Sequence, residues 1–524
     1  MGKVHLLDCT LRDGGYVNDW QFGADTIKGF GKKIAQTGIE IYEVGFIKGD
    51  KFDPDRAVFP DVESFKEMIQ PKVPGLKYVG MYDMSAPVPL DRIPKCDGSS
   101  IDGIRVIFKK EKLDAAFETC KKIQELGYFI SVNFVGTDQY TDEEFIRGIE
   151  KFNELKPYAV SIVDSFGVIK RKQFLRLVYI ADNNLAPETA LAYHAHNNLQ
   201  QAFGNAEALV DMNLKRDIII DACVFGMGRG AGNLNLELFA EYMNENYDTD
   251  YKIEPMLEIM DEYLSEIYRE KFWGYSLPLY LSASTGCHPN YAIYLAEKDS
   301  LSAKDFGALL GSIPASDKAS FSKDKANKYY KEFMDKKVDD SKTLEALRDA
   351  VAGKDIVVIA PGRSIKNCTD ELAKRCNDAN AISIAVNFFP EEYDIDYVFS
   401  NNMKRFSKIQ NDVTVPCIIT SNMTDASKQD YVIEFSKYSC DKPEIIDNSG
   451  LMLFRFLTDL GVKKVSVYGM DGYSDYYGKD YYDHKLEYVF SSDARKRNEL
   501  ISEELKEISK ELTIDFATPT NYKI

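Results

Sequence analysis

Val4-His5-Leu6-Leu7-Asp8-Cys9-Thr10 runs straight into Leu11-Arg12-Asp13-Gly14-Gly15-Tyr16. The first seven residues read as a buried strand. The strand ends by presenting a cation, a carboxylate and a flexible Gly-Gly turn. A carboxylate taken out of water needs a counter-charge or a metal, so the reading turns on what completes a site with Asp13.

The same pattern recurs outward to about residue 240: a short apolar run, a polar loop, then an amphipathic stretch. The runs are Val4–Thr10, Ile39–Phe46, Tyr78–Met84, Gly103–Lys109, Phe129–Gly136, Ala159–Gly167, Leu191–Asn197 and Asp217–Gly226. Helical candidates lie between them, among them Ala24–Thr37, Leu113–Leu126, Asp142–Leu155, Lys172–Asn183 and Asn198–Met212. Thr141-Asp142-Glu143-Glu144 is a helix start, with a capping residue and acids in the first turn. Strands that alternate with helices pair in parallel through right-handed crossovers. Eight such units predict a closed (β/α)8 TIM barrel over 1–245. An open doubly wound sheet is the alternative; the convergence of the strand-end residues favours the barrel.

Helical patterns dominate next, at Pro255–Glu270, Pro289–Glu297, Ala303–Leu310 and Ser322–Asp335, and read as a post-barrel extension and linker over 246–340. An α/β pattern restarts at Asp355–Ala360. Further strands are expected at Ala381–Val386, Tyr397–Ser400, Val415–Thr420, Pro443–Ile446, Lys464–Tyr468 and Thr513–Phe516, giving a second, Rossmann-like α/β/α domain over 345–524.

A net charge of −18 argues against nucleic acid or an anionic membrane as main partner. No apolar run approaches the ~20 residues of a membrane span, and the N-terminal run does not read as a signal peptide. The nine cysteines are scattered without a CxxC pair, so free thiols in a reducing compartment, the cytoplasm, are expected. A homo-oligomer is expected as well.

In a (β/α)8 barrel the chemistry sits at the C-terminal ends of the strands. In chain order these ends deliver Arg12 and Asp13, Glu43, Asp83, Arg105 or Lys109, Asn133, Asp164 with Ser165, and His194 with His196, before the loop Gly226–Asn233. Side chains at i and i+2 of a strand share a face. His194 and His196 therefore present two imidazoles on one side, which is metal-ligand geometry. A hydrogen-bonded pair of core histidines is the plainer reading, but the chain has only five histidines and two of them stand here. Two imidazoles, a carboxylate and an amide oxygen suit Mn²⁺ or Mg²⁺, with Zn²⁺ or Co²⁺ also accommodated. The Gly-rich loop lacks a P-loop lysine; its functional reading is a lid that brings Asn233 to the metal. Glu43 and Asp164 could equally be structural acids paired with Arg12 or Arg105.

Leu7–Gly15, His194-Ala195-His196-Asn197-Asn198 and Gly226–Asn233 together resemble the metal-dependent aldolase and lyase superfamily. This HMGL-like, pyruvate carboxyltransferase-domain group includes 4-hydroxy-2-oxovalerate aldolase, 3-hydroxy-3-methylglutaryl-CoA lyase and isopropylmalate synthase. The resemblance spans 1–335 and is nearest the oxovalerate aldolase branch. It implies Asp13, His194 and His196 as metal ligands, Asn233 as a possible fourth, and Arg12 beside the carbonyl oxygen of a 2-oxo acid. The oxovalerate aldolases carry a histidine shortly after Arg-Asp-Gly. Tyr16 stands there in this chain, so the catalytic base is open. His288, in Gly286-Cys287-His288-Pro289, is the candidate acid/base, with Glu43 and Tyr16 as further catalytic candidates.

In the second domain Pro361-Gly362-Arg363-Ser364, Val386-Asn387-Phe388, Asp447-Asn448-Ser449-Gly450 and Tyr468-Gly469-Met470-Asp471-Gly472 lie at strand ends or helix starts. They resemble a Rossmann-like family containing small bacterial sialyltransferases, the motility accessory factor domain and the archaeal 6-hydroxymethylpterin diphosphokinase-like domain. That resemblance implies nucleotide or nucleotide-sugar binding near Gly362, Ser364, Asn387, Ser449 and Asp471, and places His484 where the sialyltransferases have a catalytic histidine.

The expectation is a divalent-metal aldolase joining and splitting a 2-oxo acid such as pyruvate and an aldehyde. It is fused to a nucleotide-binding domain that could serve surface-glycan synthesis. A Claisen-type acyl-CoA lyase or synthase with a regulatory C-terminal domain is the alternative, and a non-catalytic sensor a third reading.

Overall fold

The computed structural model describes residues 2–298, 300–474, 480–483, 486 and 494–524. These fall into two compact units, Met1–Pro289 and Asn290–Ile524.

The first unit is built on eight parallel strands. They are β1 (Val4–Asp8), β2 (Ile41–Ile47), β3 (Lys77–Asp83), β4 (Gly103–Phe108), β5 (Phe129–Phe134), β6 (Ala159–Asp164), β7 (Ala190–Ala195) and β8 (Ile218–Ala222). Each pairs with the next, and β8 returns to β1, with Leu7 opposite both Asp221 and Ile41. The sheet is thus closed, as the sequence pattern predicts. A two-residue strand, Val58–Phe59, adds to β2 from outside the ring.

Period-2 alternation divides each strand between two cores. Outward residues such as Leu6, Tyr42, Val106, Phe134, Leu191 and Ile220 pack against helices that include Ala24–Ile34, Leu113–Glu125, Asp142–Asn153 and Leu236–Asn246. Thr141 caps its helix as expected, accepting from the Glu144 N–H while the Glu144 carboxylate accepts from the Thr141 N–H. Inward, Leu7, Ile41, Val79, Ala190, Ala192 and Ile219 fill the N-terminal end of the barrel. The inward positions further along are polar: Glu43, Arg105, Asn133, Ser161, His194 and Asp221, all buried. An apolar plug under a polar layer is what keeps the barrel filled while leaving chemistry at one end.

The β/α rhythm breaks between β2 and β4. Only short turns of helix, Glu63–Phe65, Lys66–Ile69 and Leu90–Arg92, occupy that stretch. After the barrel come helices at Glu254–Ile259, Ser265–Glu270 and Leu277–Ser284.

The second unit begins with helices, including Ala303–Ser312, Lys323–Met334 and Ser341–Val351, and then forms a seven-stranded parallel sheet. Its strands are β9 (Asp355–Ile359), β10 (Ala381–Val386), β11 (Tyr397–Ser400), β12 (Cys417–Thr420), β13 (Tyr431–Ile433), β14 (Lys464–Tyr468) and β15 (Thr513–Phe516), in the order β13-β12-β11-β10-β9-β14-β15. Pro443–Ile446, expected as a strand, is a turn. Pro443 lacks a ladder donor, and Lys442 and Glu444 flank it with charge. The edge strand is β13 instead. Among the described residues no helix is long and apolar enough to cross a membrane.

Candidate metal centre at the barrel mouth

The chain leaves β1 through a tight turn in which the Asp13 N–H donates to the Cys9 carbonyl at 2.8 Å. This turn swings Arg12 and Asp13 over the barrel axis, where both are 2% exposed. Thr10 secures it from below: its hydroxyl donates to Asp8 and accepts the Val224 N–H, tying β1 to the segment after β8. Burial pushes the Asp8 carboxyl up to about 7.

His194 lies on β7 and His196 just past its end. Their rings are perpendicular, 5.3 Å apart. His196 Nδ1 sits 3.1 Å from the Asp164 carbonyl, and His194 Nδ1 sits 3.1 Å from Asp221 Oδ2. The Asp164 carbonyl can only accept, so it fixes the Nδ1–H tautomer of His196 and turns its Nε2 towards the barrel axis. Both Nε2 atoms face one carboxylate: His194 Nε2 is 3.4 Å from Asp13 Oδ2, and His196 Nε2 is 3.3 Å from Asp13 Oδ1. His196 Nε2 is buried without a hydrogen-bond partner. A carboxylate and two imidazole nitrogens converging in a dry site call for positive charge among them, a proton or a metal ion. The donor set of two imidazoles and a carboxylate fits a divalent metal, and the three ligand atoms lie within 4.8 Å of one another. The second such group, Cys9, His194 and Asp221, shares His194 with it.

Asp13 and His194 belong to a closed ring of alternating charge. Arg12 donates through Nη1 to Asp13 and through Nε to Glu43 Oε2 at 2.7 Å. Arg105 Nη1 lies 3.0 Å from that same Glu43 oxygen, and Arg105 Nη2 reaches Asp221. Asp221 then meets His194, which closes the ring onto Asp13. No member is more than 3% exposed. Three carboxylates face two guanidiniums, so one negative charge is left over while the imidazole is neutral. The titration of the ring shows the same appetite for positive charge. Burial opposes ionisation of Asp13, but the Arg12 charge beside it outweighs burial and holds the carboxyl well below its usual range. Burial likewise opposes protonation of His194, and Asp13 with Asp221 overcomes it and raises the imidazole.

The Gly-rich loop is brought to this centre. Asn233 forms a one-residue bridge to His196, and its N–H donates to the Gly226 carbonyl at 2.9 Å. Gly232 (φ +82°) makes this possible, since a Cβ there would stand 2.1 Å from that carbonyl oxygen. The Asn233 amide meets Asp13 through Nδ2, 2.9 Å from Oδ1, while its own Oδ1 is buried and unpartnered. Asn233 thus lies beside Asp13 but faces it with its nitrogen, not with the amide oxygen that a metal ligand would offer.

Tyr16 sits in the turn after Asp13, its ring 4.8 Å from Trp20 and 6.0 Å from Phe46. The residue is 43% exposed, yet desolvation at its hydroxyl end, with the Asp13 charge nearby, pushes the hydroxyl up to about 12. His288 lies edge-on to Phe166, and Arg229 Nη2 donates to its Nε2. Burial, then the charges of Arg229 and Lys109, pull His288 down to about 3, so its imidazole is neutral. Glu43 is fully buried between Arg12 and Arg105. Lys109 is exposed past the end of β4, so Arg105 is the inward cation of that strand.

Asp221 and Arg229 were missed by sequence reasoning. Asp221 had a signal: in Ile218-Ile219-Ile220-Asp221-Ala222 it is the acid two residues on from the inward Ile219. Arg229 was hidden inside a glycine pattern.

In the second unit the strand order reverses at β9 and β14, where open parallel sheets hold ligands. A pocket there is lined by Gly362, Asn387, Ser449 and Asp471, together with Arg405 and Arg497. Asp471 accepts from the Ser364 N–H (2.8 Å) and hydroxyl. Asn387, at φ +59°, donates to Ser449 and accepts from Ser400. The five residues singled out from the sequence are thus gathered at one sheet edge. His484 lies outside the described residues.

Comparison with known proteins bears on the first unit. A family model described as HMGL-like matches residues 106–261. The N-terminal half carries an HMGL-like domain. The HMGL-like family is metal-dependent, in keeping with the donor set at Asp13, His194 and His196. The 4-hydroxy-2-oxovalerate aldolase of Pseudoalteromonas translucida is 24% identical over 267 residues, 49% of this chain and 75% of that protein. The oxaloacetate decarboxylase of Mycobacterium tuberculosis is 23% identical over 234 residues, 44% of this chain and 67% of that protein. The HMG-CoA lyase structure from Brucella melitensis aligns with a TM-score of 0.40 at 17% identity, covering 49% of this chain and 96% of that one. These matches leave the family of the second unit unidentified.

Proposed function

We propose that the HMGL-like domain is a divalent-metal-dependent aldolase that cleaves and forms a carbon–carbon bond between a 2-oxo acid such as pyruvate and an aldehyde. The observation that carries the reading is the convergence of His194 Nε2 and His196 Nε2 on the Asp13 carboxylate, 3.4 and 3.3 Å from its oxygens. Asp13, His194 and His196 would hold the metal, with Asn233 steadying Asp13. A metal there supplies Lewis-acid polarisation of the 2-oxo carbonyl.

The protein's own groups do the rest. Arg12 gives Nε to Glu43 and Nη1 to Asp13, which leaves Nη2 to meet an oxygen of the substrate. Held this way, it stabilises the negative charge that builds on the carbonyl oxygen as the C3–C4 bond breaks, without reorganising. The bonding pair passes to C3 of the 2-oxo acid fragment as an enolate, the 4-hydroxyl proton passes to a base as the aldehyde forms, and a proton returned to C3 releases the 2-oxo acid. Tyr16 keeps its proton at neutral pH and suits donation to the aldehyde oxygen in the condensation direction. His288 is the imidazole at the mouth, kept neutral by its cationic neighbours.

Retro-aldol assays with a panel of 4-hydroxy-2-oxo acids and oxaloacetate test this. Pyruvate release is expected with Mn²⁺ or Mg²⁺, its loss in EDTA, and its return on adding metal. Turnover of an acyl-CoA with none of the panel consumed would transfer the site to the Claisen reading.

For the second unit we propose nucleotide or nucleotide-sugar binding in the pocket at Gly362, Asn387, Ser449 and Asp471, with transfer chemistry in glycan synthesis as its use. The reversal of strand order at that pocket and the cations Arg405 and Arg497 on its wall support this. Calorimetry of the full chain with CMP, UDP and GDP should give saturable binding of at least one, weakened about tenfold or more in Asn387→Ala. No heat with any of the three removes the proposal.

A further inference from the structure

Arg229 is a largely buried cation without an acid. Elsewhere in the barrel Arg12 has Asp13 and Glu43, Arg105 has Glu43 and Asp221, and Arg216 has Asp182 with four backbone carbonyl contacts. Among the described residues no Asp or Glu pairs with Arg229. Its Nη2 donates to His288, and its guanidinium stands 5.8 Å from the centre of the Tyr16 ring. Its Nε is buried with no hydrogen-bond partner. A neutral imidazole and an aromatic face do not cancel a charge.

The surroundings make the imbalance larger. Burial pulls the Arg229 guanidinium below its ordinary range, with Tyr16 and the Asp13 charge only partly opposing. An unmet N–H on a desolvated guanidinium is costly unless a ligand fills it. The partner a guanidinium edge fits is a two-oxygen anion. Arg229 rides on the loop that also carries Asn233 to Asp13, so such an anion would enter beside the metal centre.

We infer that Arg229 receives an anionic oxygen group of the substrate, a carboxylate or a phosphate. The identity of that substrate rests on the aldolase reading above. The group has two sources: the carboxylate of the 2-oxo acid itself, or an acidic group on the aldehyde half.

The test uses the Mn²⁺-loaded full chain as wild type, Arg229→Gln and Arg229→Lys. One arm measures pyruvate affinity by calorimetry. The other measures kcat and KM for two 4-hydroxy-2-oxo acids, one ending in a methyl group and one in a carboxylate. Bound Mn²⁺ should be unchanged in both variants. Arg229→Gln should weaken pyruvate binding about tenfold or more, which assigns the 2-oxo acid carboxylate. Alternatively it should raise KM by that factor for the carboxylate-ended substrate alone, with kcat nearly kept, which assigns the aldehyde half. Arg229→Lys, which keeps the charge and loses the fork, should recover part of the loss. Unchanged affinity in both arms, or loss of the metal, overturns the inference. If the wild type is inert on both substrates the aldolase reading falls; Arg229 is then judged by oxalate and inorganic phosphate binding, which Arg229→Gln must weaken.

Discussion

His196→Ala is expected to empty the barrel of divalent metal and to lower retro-aldol turnover about a thousandfold or more, the factor that a loss of ~4 kcal/mol of transition-state stabilisation produces. His196 is the cleanest member of the centre to remove. Among the described residues its Nδ1 meets the Asp164 backbone carbonyl alone, and its Nε2 faces Asp13 alone. His194→Ala would confound the result, because His194 also closes the charged ring through Asp221. Asp13→Asn should act like His196→Ala, since it removes the one charge that both imidazoles face. Elemental analysis of dialysed protein should fall from about one metal per chain to a small fraction of that. Metal content that does not move would remove the site.

Glu43→Gln is expected to destabilise the first unit by about 3–5 kcal/mol. Glu43 is completely buried and is the shared counter-ion of Arg12 and Arg105. A neutral amide of the same shape leaves two guanidiniums in a dry layer with one fewer charge to meet them. The unfolding transition of this unit should therefore drop by on the order of 10 °C. Pairing the change with Arg105→Gln should cost less than the two single changes combined, because the second substitution removes a charge that the first strands. A loss below about 1 kcal/mol would mean that water reaches the ring, and that Glu43 is free for the catalytic role read from the sequence.

The barrel was legible because its signal is repeated. Each strand is a β-branched run with a polar residue at its C-terminal end, and eight repeats leave little room for another fold. The region between β2 and β4 was less legible, because short helical turns there carry no 3.6-residue period. Asp13, His194 and His196 could be singled out because strand alternation alone puts two imidazoles on one face. Asp221 escaped because a single acid in an isoleucine run looks like a strand end, and its partner, Arg105, is 116 residues away. Arg229 escaped for a different reason: its meaning lies in the acid it lacks, and a missing ion pair has no sequence signature. In the second unit the short turn motifs lie together where the strand order reverses, whereas Pro443–Ile446 forms a turn because Pro443 has no N–H to give a ladder.

The central claim, a metal centre at Asp13, His194 and His196 that takes a 2-oxo acid, is tested most directly by electron paramagnetic resonance of Mn²⁺ bound to the full chain. The account predicts that one Mn²⁺ binds per wild-type chain, that pyruvate changes its spectrum, and that neither signal survives in His196→Ala. Equal Mn²⁺ binding in wild type and His196→Ala, or a bound-Mn²⁺ spectrum indifferent to pyruvate, would contradict it.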